Sequence, residues 1–252
     1  MKIAYCFHGC VGGLTGKNGK KTTGSDIVLD TSHRLLKKNI NTSNIDFFIH
    51  SWDVDLKKTF IDYYDPKKII LEPQILFNPP KHLPNNDRVQ SHYSRWYSAT
   101  QVINLKNQYE KETNTKYDLV ILTRHDLCWL RKYDLNQLNP NVFNIDTFYV
   151  DAGTSYYSKT SIELGDVCIS TNSKYMDLLV DIYNNLDEYT KPGQCTQYNH
   201  ISSHFCLSWH LKKLNLRDQI EFPYIRYESA PRHIDTIEKS DFSIVRYVYG
   251  KI

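Results

Sequence analysis

Long apolar runs are missing from this chain of 252 residues. No stretch approaches the ~20 apolar residues that a bilayer-spanning helix needs, so no segment reads as transmembrane. The marks of a secretory signal are missing too. The apolar run from Ile3 to Phe7 is short and leads into Gly and Lys residues, not into a small-residue cleavage site. The expected location is therefore the cytoplasm. Charge of one sign does not dominate, with 31 basic against 28 acidic residues and a formal net charge of +3. That balance gives no electrostatic argument for a nucleic-acid or membrane-surface protein. None of the six cysteines forms a C-x-x-C pair, the nearest spacing being Cys6-x-x-x-Cys10. They read as small buried hydrophobes of a reducing compartment, not as a zinc site or a disulfide framework. Internal repeats, low-complexity tracts and linkers are also lacking, which leaves residues 1–252 as one domain.

What is present is an alternation of strands and helices. Lys2 to Phe7 reads as a first strand, followed by a Gly- and Lys-rich loop and a helix with apolar positions at Ile27, Val28, Leu35 and Leu36. Ile45 to His50 reads as a second strand and Lys68 to Glu72 as a third, with Pro73, Pro79, Pro80 and Pro84 marking an irregular excursion. A long helix is expected over 88–110, because Val89, Tyr93, Trp96, Thr100 and Ile103 fall on one face. Tyr117 to Thr123 is a continuous apolar strand of the kind buried on both sides. Strands are expected at Val142 to Val150, Asp166 to Ser170, Phe222 to Tyr227 and Phe242 to Tyr249, and helices at Lys174 to Leu186 and Tyr198 to Leu214. The pattern predicts an α/β fold, Rossmann-like, with a mainly parallel central sheet flanked by helices.

In open α/β sheets ligands bind beyond the carboxyl ends of the strands. Three strand ends here carry chemically loaded residues: His8-Gly9-Cys10-Val11-Gly12-Gly13, His50-Ser51-Trp52-Asp53 and Arg124-His125-Asp126. The glycines suit backbone contacts to phosphates, with Lys17, Lys20 and Lys21 adding charge, although a mobile surface loop would look the same. The loop is no P-loop, since Lys21 stands where Ser or Thr is required. Arg124 and Asp126 fit two readings. Asp126 would hold Mn²⁺ or Mg²⁺ bridging two phosphates while Arg124 neutralises their charge, or the two form a structural pair closing the strand. Asp53 fits a ribose or base contact and equally the N-cap of the next helix. His200 and His204 share a helical face and fit a metal or diphosphate site, against a plain reading as partly buried histidines with His210. Asp151 and Asp166 each flank a strand near a glycine and are candidate general bases.

The order of "IDFFIHSWD", "SHYSRWYSATQVINLKNQYE", "YDLVILTRHDLCW" and "GDVCISTNSKYMDLLVDIY" resembles small polysaccharide-type glycosyltransferases of the GT-A fold, found in bacteria and large DNA viruses. The resemblance covers roughly residues 1 to 215. It implies a nucleotide-diphosphate-sugar donor on about 1–130 and a saccharide acceptor on about 131–252. On the donor side it implies His8, Gly9, Gly12, Gly13, Trp52, Asp53, Arg95, Arg124 and His125. Asp126 takes the place of the metal-binding acid of the family's Asp-x-Asp motif, with His200 and His204 as further ligands of Mn²⁺ or Mg²⁺. Position 124 departs from that motif, being Arg where the family has its first acid. By the same analogy Asp166 is the first choice of base and Asp151 the second. A nucleotidyltransferase of related fold and a non-catalytic carbohydrate-binding protein of the same ancestry are the alternatives.

Overall fold

The first strand, β1 (Ile3–Gly9), is buried from Ile3 to His8 and pairs in parallel with two neighbours. On one side lies β2 (Ile45–Ser51), which pairs onward with β3 (Lys68–Leu71); on the other lies β4 (Leu119–Arg124). The computed structural model describes residues 1–14, 24–84, 86–146, 148–149, 163–194, 201–224 and 237–251. After β4 come β5 (Leu127–Trp129), β6 (Phe143–Ile145), β7 (Phe148–Tyr149), β8 (Glu163–Leu164), β9 (Cys168–Thr171), β10 (Ile220–Glu221) and β11 (Phe242–Ile244). The main sheet has seven strands in the order β10-β6-β9-β4-β1-β2-β3, so strands from both halves of the chain share it. It is mostly parallel; β9 runs antiparallel to both β4 and β6. Two small antiparallel ribbons, β5 with β11 and β7 with β8, stand outside it.

Side chains alternate across a strand, and here the alternation divides the core into two layers. Ala4, Cys6, Phe48, Val120 and Leu122 face α3 (Asp87–Thr113), meeting Trp96, Ala99, Val102 and Ile103. Tyr5, Phe7, Phe47, Ile49, Leu119 and Ile121 face the other way, toward Val28, Leu29, Leu35 and Leu36 of α1 (Ser25–Asn39). The helix α2 (Lys57–Tyr64) adds Phe60 and Tyr64 to that second layer. The Asn86 side chain caps α3 by accepting from the backbone N–H groups of Arg88 and Val89, both at 3.1 Å. Asn114 ends it in the left-handed region at φ 49°.

The helix expected over Lys174 to Leu186 is instead a chain of three: α4 (Ser173–Leu178), α5 (Val180–Asn184) and α6 (Leu186–Tyr189). At the second break the Asn185 side chain takes the Asp181 carbonyl at 2.8 Å, a local bond that competes with helix continuation. The first of them is anchored to α3 by Lys106, a fully buried lysine 2.5 Å from Ser173 Oγ and 2.7 Å from Asp177 Oδ1. Of the helix expected over Tyr198 to Leu214 the described part is α7 (Ser203–Lys213). Of the strand expected at Phe222 to Tyr227, residues 222–224 are not strand and 225–227 lie outside the described residues, while β10 precedes it. The run Phe242 to Tyr249 does not continue as a strand. The Val245 N–H bonds the Asp126 carbonyl at 2.9 Å, and the chain turns into α8 (Val245–Val248). Of the described cysteines all but Cys10 are buried. Among the described residues no helix is long and apolar enough to cross a membrane.

Candidate functional site

Order along the sheet reverses between β1 and β4, the position at which an open α/β sheet leaves a crevice beyond its carboxyl ends. In register across that rim stand His50 of β2, His8 of β1 and Arg124 of β4, on the α3 side. A cleft of about 600 Å³ lies there, within the range of small-molecule sites. Its walls include His8, Gly9 and Gly12 from the β1 end, Arg88, His92 and Arg95 from α3, and Arg124. Asp166, Ser203, His204 and Arg246 close the far side. A second hollow of about 700 Å³ lies at the amino ends of β1 and β2, beside Lys37, Lys38 and Asn41. That second hollow has none of the expected site residues in its wall.

The β1 turn is fixed by two polar contacts. Ser98 Oγ accepts from the Gly9 N–H at 2.7 Å, and Gly9 takes φ +89°, a conformation that favours glycine. Asp53 Oδ2 accepts from the Val11 N–H at 2.7 Å. Asp53 thus holds the glycine loop, and it makes no side-chain cap to the 3₁₀ turn Val54–Leu56 that follows it. Burial is the main force on its carboxyl, raising the pKa, while the Val11 N–H and Ser51 oppose the rise. Cys10 also borders the cleft, but burial, with Asp53 beside it, pushes its thiol up to about 12. It is therefore no thiolate nucleophile at neutral pH.

The cationic groups of the cleft are in different states. Arg124 forks onto Asp126, Nε to Oδ1 at 2.9 Å and Nη2 to Oδ2 at 2.7 Å. Arg95 Nε lies 3.0 Å from Asp166 Oδ2, near enough to pair although the N–H is not aligned for a hydrogen bond. Its Nη2 donates to the Asp166 carbonyl. Arg88 Nε donates to the Ile201 carbonyl at 2.9 Å, and Arg246 packs over Tyr247 and donates to its hydroxyl at 3.2 Å. Among the described residues the buried Arg246 Nε finds no acceptor, and neither ring nitrogen of His8, a residue only 2% exposed, finds a partner. His8 is held neutral: burial, then the charges of Arg95, His125 and Arg124, lower its pKa well below the usual histidine value. His92 is lowered to about 3 by burial and Arg95, and it contacts Ser203 Oγ at 3.1 Å.

Asp166 gathers the far side of the site. His204 Nδ1 lies 2.7 Å from the Leu164 carbonyl and 3.6 Å from Asp166 Oδ1. The residue before it, Gly165, lies under a buried carboxylate: a Cβ there would sit 2.5 Å from Asp146 Oδ1. The same oxygen accepts from the Val167 and Cys168 N–H groups at 3.2 and 3.3 Å. Asp146 therefore sets the backbone on both sides of Asp166.

The structure brings His8, Gly9, Gly12, Arg95, Arg124, Asp166 and His204 to one cleft. Gly13 is buried next to it. Trp52 is not in its wall; it is 6% exposed and stacks on Tyr97 at 5.4 Å in the α3 layer of the core. His125 also stands apart. Fully buried, it lies against Phe7 at 5.3 Å and Phe60 at 4.9 Å, on the opposite side of the sheet. Asp126, 4% exposed, sits behind Arg124. His210 is an ordinary core histidine between the Tyr189 hydroxyl and the Leu178 carbonyl. Asp151 and His200 lie outside the described residues. The sequence reading missed Arg88, His92, Asp146 and Arg246. Arg88 had a signal, falling in the first turn of an evident helix; Arg246 had none, because its segment read as a strand.

A divalent metal fits these residues poorly. Both Asp126 oxygens are taken by the Arg124 fork, and Asp166 is paired with Arg95. Among the described residues no three His, Cys, Asp or Glu side chains group as metal ligands. No protein-family model matches the chain, and no curated protein matches it.

Proposed function

We propose that this chain is a glycosyltransferase that moves a sugar from a nucleoside-diphosphate-sugar donor to a hydroxyl of a saccharide acceptor. The observation that supports this reading is the convergence of Arg88, Arg95, Arg124 and Arg246 on a cleft at the switch point of a mostly parallel sheet. Guanidinium forks recognise phosphate oxygens in two-pronged fashion and stabilise charge that develops on a departing diphosphate. His8, neutral and without a hydrogen-bond partner among the described residues, adds a hydrogen-bonding group at the same place.

In the proposed reaction the acceptor hydroxyl oxygen bonds the anomeric carbon and its proton passes to Asp166. The bond from that carbon to the diphosphate oxygen breaks, and the electron pair leaves with the nucleoside diphosphate. Arg95 and the Asp146-braced backbone orient the Asp166 carboxylate for this task.

The test is a thermal-shift panel of nucleotide sugars, followed by an assay of nucleoside diphosphate release with and without saccharide acceptors. A ligand at about a hundred times its Kd adds roughly 2.7 kcal/mol of stability, a readable shift. One nucleotide sugar that stabilises the protein and is consumed supports the reading. Nucleoside triphosphate turnover with pyrophosphate release would replace it with a nucleotidyltransferase. A second reading, a non-catalytic sugar-nucleotide-binding protein, draws on the pairing of Asp166 with Arg95; stabilisation without any donor turnover would favour it.

A further inference from the structure

The expected cofactor and the residues of the cleft disagree. A Mn²⁺ or Mg²⁺ ion bridging a diphosphate needs carboxylate oxygens that face the ligand. The cleft wall offers Asp87 and Asp166 among its carboxylates, and Asp166 is already paired with Arg95. Asp126 is turned away from this role, each of its oxygens holding one nitrogen of Arg124. A metal seeking it would have to displace a two-pronged charged contact. It would then sit among guanidiniums that repel it.

Two of those guanidiniums have no carboxylate partner among the described residues. Arg88 donates to the backbone carbonyl of Ile201, and Arg246 to the hydroxyl of Tyr247; neither forms an ion pair among the described residues. Among the described residues the buried Arg246 Nε–H meets no acceptor, and His8 beside the same cavity is buried with two open ring nitrogens. Polar groups left this way carry the full cost of desolvation unless a ligand meets them. The diphosphate of a sugar nucleotide carries two negative charges, and arginine forks match its oxygens directly.

We propose that the cleft binds the diphosphate of its ligand on Arg88 and Arg246, next to Arg124 and His8, with no divalent cation in between. The inference builds on the sugar-nucleotide reading, but it concerns how the phosphates are held and is tested separately. Arg246 brings the carboxyl-terminal α8 into the donor site, so both ends of the chain meet on one ligand.

Isothermal titration of the full chain with inorganic pyrophosphate in EDTA, and with UDP and GDP in EDTA or in Mn²⁺, tests this. Mn²⁺ is kept out of the pyrophosphate arm because that ion sequesters the metal. The expected result is pyrophosphate binding in EDTA, with a nucleoside diphosphate Kd that Mn²⁺ leaves within about twofold. Arg88→Ala and Arg246→Ala are each expected to weaken binding by on the order of tenfold or more, and Arg246→Lys by less, because it keeps the charge and loses the fork. Their melting temperatures without ligand should stay near that of the wild type. Nucleoside diphosphate binding that appears only with Mn²⁺, absence of pyrophosphate binding, or arginine variants that bind like the wild type would each overturn the proposal. Pyrophosphate binding in EDTA with no nucleotide sugar bound or consumed would leave it standing and remove the glycosyltransferase reading. Turnover of a nucleotide sugar only with Mn²⁺ would do the reverse.

Discussion

Arg124 and Asp126 form a closed two-pronged pair at the end of β4, with both carboxylate oxygens bonded, at 2.9 and 2.7 Å. The two partners differ in exposure: the Arg124 side chain is 29% exposed and that of Asp126 only 5%. Removing one is therefore not equivalent to removing the other. Arg124→Ala strands a buried carboxylate and is expected to cost about 3–5 kcal/mol. Asp126→Ala leaves a guanidinium that still reaches water and is expected to cost about 1–3 kcal/mol. Urea denaturation of the two variants measures the asymmetry. Equal losses would mean that Asp126 is not the buried member of the pair.

A second expectation concerns a relay behind the glycine turn. Glu72 Oε1 lies 2.9 Å from His50 Nε2, and His50 Nδ1 lies 2.6 Å from Ser98 Oγ, which accepts from the Gly9 N–H. One proton arrangement satisfies every member: Nε2–H donates to Glu72, the Ser98 hydroxyl donates to Nδ1, and the Gly9 N–H donates to Ser98. Ser98→Ala breaks two links in a fully buried place and is expected to cost roughly 1–3 kcal/mol. Because Gly9 lines the cleft, the same variant should also weaken nucleoside diphosphate binding. Chemical denaturation and calorimetric titration read the two effects. A variant as stable as the wild type would remove the relay from the account.

Much of this site was legible because the strands that carry it are apolar and continuous. The expected runs Lys2 to Phe7 and Ile45 to His50 became Ile3–Gly9 and Ile45–Ser51, and the helix expected over 88–110 became Asp87–Thr113. Facing was legible as well, from alternation along the strand: position 124 shares the parity of Leu122 and points with it toward α3, away from the layer that holds Phe7. Reading His125 with Arg124 as one ligand-facing group ignored that alternation; Asp126 lies in the turn beyond β4, where its oxygens hold Arg124. Asp146 and Arg246 were not legible. Asp146 acts through backbone N–H groups at the start of the neighbouring strand β9, more than twenty residues on in sequence, and Arg246 reaches the cleft because Val245 bonds a carbonyl between β4 and β5. Nothing local in the sequence marks either contact.

Acid should destabilise this fold through its buried histidines. Burial lowers His92 and His125 from 6.5 to about 3, and His8, His50 and His210 are lowered too. Between those values the unfolded chain binds more protons than the native one. Stability is therefore complete above about pH 6.5 and falls as the pH drops toward the native pKa values. His125 lies between Phe7 and Phe60, with Nε2 3.3 Å from the His50 carbonyl and Nδ1 unbonded among the described residues, so His125→Phe keeps an aromatic ring between them, gives up that one polar contact and removes one titrating group. The variant is expected to lose less stability between pH 6.5 and pH 4 than the wild type, by urea denaturation at each pH. An unchanged slope would assign the acid limb to other groups.

The last expectation separates the position of Asp166 from its chemistry. Gly165 has Asp146 pressed against it, and a Cβ at that place would lie 2.5 Å from Oδ1 and 2.7 Å from the carboxyl carbon. Asp146 cannot retreat freely, since Oδ1 holds the Val167 and Cys168 N–H groups. Gly165→Ala must therefore shift the backbone, at about 1–3 kcal/mol for overpacking, and carry Asp166 out of place. Asp166→Asn leaves the backbone alone and removes the proton acceptor. If Asp166 is the base, both variants lose sugar transfer, Asp166→Asn by on the order of a hundredfold or more, while nucleoside diphosphate affinity stays near the wild type in Asp166→Asn. Transfer rates and nucleotide binding measured on the two variants decide the matter. An Asp166→Asn variant that transfers at the wild-type rate would move the proton to another group and leave Asp166 as the partner that orients Arg95.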